Sequence, residues 1–494
     1  VIRLAAASLA GLPAPVKRPS YDRAAVRCGV VHLGIGAFHR AHQALFFEDA
    51  LEAGDLRWGI VAASLRSSAV RDQMAAQDGL YTILVRDGVT EQARVIGAVQ
   101  RVIVAPEEPE ALVAAMASPD THIVTLTVTE KGYKLDPATG ALIDGDPQIA
   151  ADLLSLDRPQ SAPGFIVAAL ARRRDAGLPP FTAISCDNLP HNGARLREAV
   201  IALAGRHDAT LAEWIAAEGA FPQTMVDRIV PATTAEDIAS LAAVIGVEDR
   251  AMVKTEPFAQ WVIEDRFCGP RPAFGPGVQI AAAVAPWEDA KLRLLNGAHS
   301  GIAYLGGLAG IGHVHEVLAL PEARLFVEAL WDEAETTLSP PPGLDVAAYR
   351  RALMARFDNP TLRHRTRQIA MDGSQKLPQR LLAPIADRLA AGQGIAALAL
   401  AVAAWIRWQA GRDDAGHSHA IDDPLAEPIA AALRHADTPE TRVQAILCLS
   451  AIVPPALAAD PRLADALTGW LTLLETQGVR ATLSRFARDR QEAA

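Results

Sequence analysis

The sequence predicts an α/β protein, a Rossmann-type N-terminal domain followed by a mostly α-helical C-terminal domain. Three observations predict it. Short β-rich apolar runs alternate with helical stretches through the first half, the pattern of a parallel sheet covered on both faces. A glycine pair, Gly34 and Gly36, falls where the first run ends and a helix begins. From about Pro286 the strand signals fade, and Ala- and Leu-rich helical stretches take over. A chain of 494 residues has room for two or three domains at roughly 100–200 residues each. The boundary is drawn between residues 1–285 and 286–494.

The elements follow in order. Residues 29–33 (GVVHL) form a compact apolar run, and 40–52 have helical spacing. Residues 58–65 (WGIVAASL) read as the next strand and 70–77 as a helix. Further strands are expected at 81–85, 94–96, 122–128 and 181–185. In the second half, helices are expected at 290–305, 321–337, 346–356, 377–391, 395–409 and 426–435. Proline pairs at Pro340 to Pro342 and at Pro454-Pro455 mark breaks.

Composition narrows the function. Half of the residues are apolar and 21% are charged, so large cores can form. A net charge of −10 disfavours a nucleic-acid partner. No uncharged apolar run approaches the ~20 residues needed to span a bilayer, so no membrane role is expected. Residues 1–16 read as a short helix and not as a secretory signal. Cys28, Cys186, Cys268 and Cys448 are far apart, with no zinc spacing, which fits a reducing cytoplasm. The pairs His313/His315 and His417/His419 lack a third ligand, and no metal site is expected. A monomer is the default.

The segment Gly34-Ile35-Gly36-Ala37-Phe38-His39 suits a dinucleotide. Glycines let the backbone turn sharply and approach a pyrophosphate at the helix start. Gly34, Gly36, Ala37 and Phe38 are therefore candidate cofactor contacts. His39 replaces the third glycine of the fingerprint, and a plain strand–helix turn would look similar. An NAD site usually carries an acid at the end of the second strand. Here that strand runs into Arg66, Ser67 and Ser68, which suit a 2′-phosphate. NAD is expected, with NADP open.

The most informative stretch runs from Lys291 to His299 (KLRLLNGAH). On an α-helix, Asn296 and His299 would lie about 140° and 80° round the axis from Lys291, within one broad face. A desolvated lysine can exchange an alcohol proton, an amide can stabilise an alkoxide, and an imidazole can orient the oxygen. An amphipathic helix with a solvated lysine is the plainer reading of the same letters.

The order of six motifs resembles the polyol-specific long-chain dehydrogenases. They are VVHLGIGAFHRAHQA (30–44), TVTEKGY (127–133), SCDNLPHNG (185–193), MVDRIVPAT (225–233), EPFAQWVIED (256–265) and KLRLLNGAH (291–299). The resemblance covers nearly the whole chain. It implies a metal-independent NAD(P)-dependent secondary-alcohol dehydrogenase. It implies Lys291 as general acid/base, Asn188 and Asn296 on the reacting oxygen, His299 on the substrate and Glu288 on the proton path to solvent. It also places Asp227 and Arg228 in a motif near the site, as candidate cofactor contacts; a structural ion pair is the alternative for them.

Residues 359–380, NPTLRHRTRQIAMDGSQKLPQR, resemble the fructuronate reductase branch. Mannitol dehydrogenases typically carry arginine where Gln368 stands, end the motif KFPKF, and read TEGGY in place of TEKGY. The added basic groups suit a sugar-acid carboxylate, and Lys131, Arg363, Arg365 and Lys376 are the candidates. The implied reaction is the reversible reduction of D-fructuronate to D-mannonate. The alternatives are mannitol 2-dehydrogenase, another polyol dehydrogenase such as one for arabinitol, or a nucleotide-binding protein that has lost catalysis.

Overall fold

A computed structural model describes residues 2–88, 90–136 and 139–493. The chain divides into two compact units, one ending at Val284 and the other beginning at Ala285.

Among the described residues, eleven strands lie in the first unit. They are β1 (Val30–Leu33), β2 (Ile60–Ser64), β3 (Tyr81–Arg86), β4 (Glu91–Ile96), β5 (Val99–Val104), β6 (Ile123–Leu126), β7 (Thr182–Ser185), β8 (Thr224–Asp227), β9 (Val253–Thr255), β10 (Gln260–Glu264) and β11 (Val278–Ala281). The main sheet has the order β5-β2-β1-β6-β7, and every pairing in it is parallel. All residues of β1, β6 and the edge strand β7 are buried, as expected of parallel strands covered on both faces. Alternation along β1 feeds two cores. Val31 and Leu33 join Leu112, Ile166 and Val200 on one face, and Val30 joins Phe47, Trp58 and Trp261 on the other.

Two three-stranded sheets, β11-β10-β8 and β4-β3-β9, complete this unit. The sequence reading marked neither β5 nor β8 to β11. These strands are short, and β8 to β10 carry Thr, Asp, Lys and Gln among their apolar residues. The stretch expected as one helix over 40–52 is two, Ala37–Ala41 and Gln43–Glu52. They part at His42, whose backbone leaves the helical region (φ −122°, ψ −86°) while its Nε2 pairs with the Gln260 carbonyl at 2.8 Å. The N-terminal segment belongs to the fold: Leu4, Leu12 and Val16 are buried with Leu84, Val95 and Leu241.

The second unit is helical. Its central helices, Gly297–Leu308 and Ala396–Trp408, are buried along almost their whole length. Phe326 of the Pro321–Glu335 helix packs on Gly301, where a Cβ would come within 2.9 Å of its ring. Glu333 caps the Ala396–Trp408 helix by accepting from the Ala397 and Leu398 amides, each at 2.9 Å. The stretch expected as one helix over 377–391 is three pieces: Gly373–Leu377, a π turn at Pro378–Leu382, and Ala383–Ala390. Pro378 and Pro384 each remove an amide donor, which breaks the α ladder. A long terminal helix, Pro461–Ala493, escaped the sequence reading and is interrupted at Gly478 (φ 75°). Among the described residues no helix is long and apolar enough to cross a membrane.

Candidate active site

In the first unit the candidate nucleotide site is made of main chain. Gly34 leaves β1 at φ 101°, and a Cβ there would meet the Thr127 carbonyl oxygen at 2.2 Å. Only glycine fits both demands. The turn is held on every side. The Gly34 and Ile35 amides donate to the Ala63 carbonyl of β2, at 2.9 and 3.1 Å. The Gly34 carbonyl accepts from Thr127 Oγ1 at 2.8 Å and lies 3.0 Å from His32 Nε2. Gly36 is exposed at the start of the Ala37–Ala41 helix, and a Cβ there would meet nothing nearer than 3.9 Å. Ala37 and Phe38 are half-buried in the first turn. An open, amide-rich turn with a bare glycine face fits a pyrophosphate.

His39, in place of the third glycine, is buried and stacked on His32, with ring centroids 3.3 Å apart and planes 10° apart. Burial drives both imidazoles down, His32 to about 3, so the stack is neutral. It supplies the close packing that the missing glycine would otherwise allow.

Arg66 and Ser67 are exposed beyond β2, where Ser64 Oγ donates to the Ser67 carbonyl at 2.6 Å. A cavity of about 300 Å³ opens at the carboxyl ends of β2 and β5, lined by Leu65, Ala105, Pro106, Pro109, Arg158 and Phe165 among others. Asp227 is buried at the end of β8. Arg228 is buried too, and its guanidinium donates to the Ala41 and Glu256 carbonyls. Burial lowers its pKa to about 10. Arg228 therefore ties down the Ala37–Ala41 helix through the main chain.

Asn188 is exposed in the bend after β7. Its neighbour Asp187, not singled out from the sequence, organises the region. It accepts from the Thr129 amide at 2.8 Å, the Val128 amide at 3.2 Å and the Tyr133 hydroxyl at 2.6 Å. The SCDN and TVTEKGY motifs are thus one structure. Lys131 is exposed on that loop, in the 3₁₀ turn Glu130–Tyr133.

The second unit carries the side-chain chemistry. Lys291, Asn296 and His299 are all buried. The α-helical geometry expected for them is corrected by the structure, because Lys291–Asn296 is a π turn. The Gly297 amide bonds the Leu292 carbonyl, five residues back. In such a turn, residues five apart lie nearer one another round the axis than they do on an α-helix, so Lys291 and Asn296 are closer to sharing a face than the α-helical spacing implies. The turn is braced by Trp331 Nε1, which donates to the Leu294 carbonyl at 2.9 Å.

His299 packs against Phe357 and His364, with ring centroids at 4.7 and 4.9 Å. Burial, and then the fields of His364, Arg356 and Arg380, hold it neutral, well below the usual range. Its buried Nε2 has no hydrogen-bond partner among the described residues. Glu288 is half-buried, and burial lifts its carboxyl to about 7 against the pull of the Lys291 charge. That is a proton-exchanging group beside the lysine.

The basic candidates separate. Lys376 is half-buried, donates to the Met371 carbonyl and lies 3.6 Å from Asp372. Arg363 is exposed, in the left-handed region at φ 43°. Arg365 faces a different cavity, of about 380 Å³, with His313, Arg367, Trp408, His417 and His419; Lys291, Asn296 and His299 do not line it. His364, between the two arginines, is the residue that reaches His299. Neither it nor Arg380 was singled out from the sequence. Among the described residues no group of three or more His, Cys, Asp and Glu side chains is placed to hold a metal ion.

Comparison with known proteins identifies the family. Residues 28–275 match the family described as mannitol dehydrogenase Rossmann domain, and 283–473 match the mannitol dehydrogenase C-terminal domain. The D-mannonate oxidoreductase of Escherichia coli K12 is 44% identical over 476 residues, 94% of this chain and 97% of that one. A mannitol 2-dehydrogenase of Pyrenophora tritici-repentis is 42% identical over 482 residues, 96% of this chain and 84% of that one. The solved Pseudomonas fluorescens mannitol 2-dehydrogenase, a ternary complex with NAD and D-mannitol, superposes with a TM-score of 0.84 at 38% identity, covering 99% of this chain and all of that one.

Proposed function

This chain is an oxidoreductase of the mannitol dehydrogenase family, and within that family we propose that it interconverts D-fructuronate and D-mannonate with NAD. The observation that carries the chemistry is the buried set of Lys291, Asn296 and neutral His299 on one π turn and the helix it opens, with Glu288 alongside. The 44% identity to a D-mannonate oxidoreductase stands beside 42% to a mannitol 2-dehydrogenase, so it is the KLPQR ending that favours the acid over the polyol.

Gly34, Gly36, Ala37 and Phe38 would hold the pyrophosphate, and Arg66 and Ser67 would flank the adenosine ribose, beside the cavity under Leu65. When bound, the nicotinamide supplies the hydride. Lys291 gives its ammonium proton to the oxygen that becomes the alcohol. Asn296 Nδ2, joined by Asn188, donates hydrogen bonds to that oxygen as its charge grows, which contributes roughly 3–4 kcal/mol per donor. His299, neutral, bonds a substrate hydroxyl. Glu288 returns a proton to Lys291. Asp227 and Arg228 serve the cofactor by setting the Ala37–Ala41 helix. Lys131, Arg363 and Lys376 supply positive charge for the carboxylate, and Arg365 is set apart because it lines another cavity.

Lys291→Ala tests the chemistry. Turnover is expected to fall by about 10³–10⁴-fold, while NADH still binds, as read by its fluorescence. Near-normal turnover in that variant would remove Lys291 from the mechanism.

A further inference from the structure

We propose that Arg380 is the residue that binds the substrate carboxylate and so selects a sugar acid over a polyol. This rests on the sugar-acid reading above and assigns that recognition to a residue outside the basic set named from sequence.

Position comes first. Arg380 sits in the π turn Pro378–Leu382, and its carbonyl lies 3.0 Å from where a Cβ on Gly297 would be. The glycine lets this turn close on the start of the Gly297–Leu308 helix, which carries His299. The Arg380 Nη1 donates to Ser300 Oγ, next to His299, at 3.3 Å. Its charge reaches His299 and Lys376.

The second observation is what the guanidinium lacks. The other well-buried arginines with described contacts are spoken for. Arg173 donates to the carbonyls of Ser118, Thr121 and Pro179, and Arg228 to those of Ala41 and Glu256. Arg293 pairs with Asp387 at 2.6 Å. Arg380 is half-buried, yet its one hydrogen bond among the described residues is the long one to Ser300, and no carboxylate stands within ion-pair distance. Burial holds its pKa down to about 10, so it stays charged. The Asp372 carboxylate acts on it through its field but stands beyond ion-pair distance, and a ligand carboxylate in contact would relieve the cost of the desolvated cation. The planar fork takes a carboxylate through two parallel N–H···O bonds. Lys376 adds a second charge nearby.

The carboxylate of an open-chain hexuronate lies at the far end from the ketone, which suits a group a turn along the helix from the reacting centre.

The test is kcat/KM for D-fructuronate and for D-fructose, with NADH, in the native enzyme and in Arg380→Gln and Arg380→Lys. In R380Q the fructuronate-to-fructose ratio is expected to fall by about 100-fold, mostly through KM, and R380K should recover part of it. NADH fluorescence titration shows that each variant is folded. A native enzyme that prefers fructuronate, with a ratio unchanged in R380Q, would overturn the assignment and leave the sugar-acid reading standing. A native enzyme that prefers fructose would overturn both. If R380Q does not fold, R380K decides: it keeps the charge but not the fork, its ratio is expected to fall about 10-fold, and an unchanged ratio overturns the assignment.

Discussion

Around Gly34 the functional surface is main chain, and around Lys291 it is side chain. The turn after β1 works because one residue takes φ 101° against a carbonyl, and the exposed Gly36 that follows leaves the start of the next helix uncovered. Identity there is dictated by backbone sterics. The π turn at Lys291–Asn296 places a buried lysine and a buried amide on one widened turn, inside a bundle that keeps His299 neutral. Identity there is dictated by chemistry, and the backbone is dictated by packing from Trp331 and Arg380. At Gly34 the first kind of site tolerates no added atom. The second tolerates shape changes but no loss of a functional group.

This contrast can be broken by mutation. The largest effect is expected on the side-chain half. Asn296→Ala should lower kcat by about 10²–10³-fold with little change in thermal midpoint, since the loss is of a hydrogen-bond donor to a developing charge. A comparable fall in stability would mean that Asn296 holds the π turn instead. On the main-chain half the pattern should invert. Gly34→Ala must adopt a left-handed backbone and push Thr127 away, at about 3 kcal/mol or more of stability. Gly36→Ala, with open space around it, should leave the unfolding midpoint within a degree or two and weaken NADH binding only. Equal loss of stability in both would show that the turn is not constrained as described.

Titration separates the halves further. Glu288, lifted to about 7, should give the reduction rate an inflection near neutral pH, with activity falling above it as the proton reservoir empties. Glu288→Gln should remove that inflection and leave the remaining profile in place, as followed by kcat across pH 5–9. In the first unit, Glu48 is buried, bonded by the Tyr21 hydroxyl at 2.8 Å and the Gly97 amide at 2.9 Å, and lifted by burial to about 7. Its folded pKa is above its unfolded value near 4.5, so it stays protonated in the fold while the unfolded chain ionises. Its contribution is full below about 4.5 and is lost as pH rises to about 7. Glu48→Gln should flatten the unfolding midpoint over that window, the smallest of these effects, and a wild-type slope retained in the variant would place the titrating group elsewhere.

The same contrast explains what was legible in the sequence. Gly34 and the runs that became β1, β2, β6 and β7 could be read because their constraints are local: a forced φ, and apolar strands bounded by turns. The motif order marked Lys291, Asn296 and His299 as a set. Their geometry was not legible, because the π turn follows from contacts with Trp331 and Arg380, which lie far off in sequence. The small sheets were missed because β8 to β10 mix polar residues into short runs. Asp187 and His364 were passed over although each adjoins a residue that was named, because their roles are to bond a distant loop and to face a distant imidazole. Arg363 and Arg365, named as basic groups of the 359–380 segment, are both exposed, a burial state that charge and motif do not reveal.

The central claim is that a lysine-based alcohol dehydrogenase site here serves a sugar acid. Initial rates of NADH oxidation by the native enzyme, with D-fructuronate and D-fructose at equal concentration, test it most directly. The account predicts a preference for fructuronate of about 100-fold, the scale of one good carboxylate–arginine contact. Equal rates, or faster turnover of fructose, would contradict it and make this chain a polyol dehydrogenase with Lys291, Asn296 and His299 in the same places.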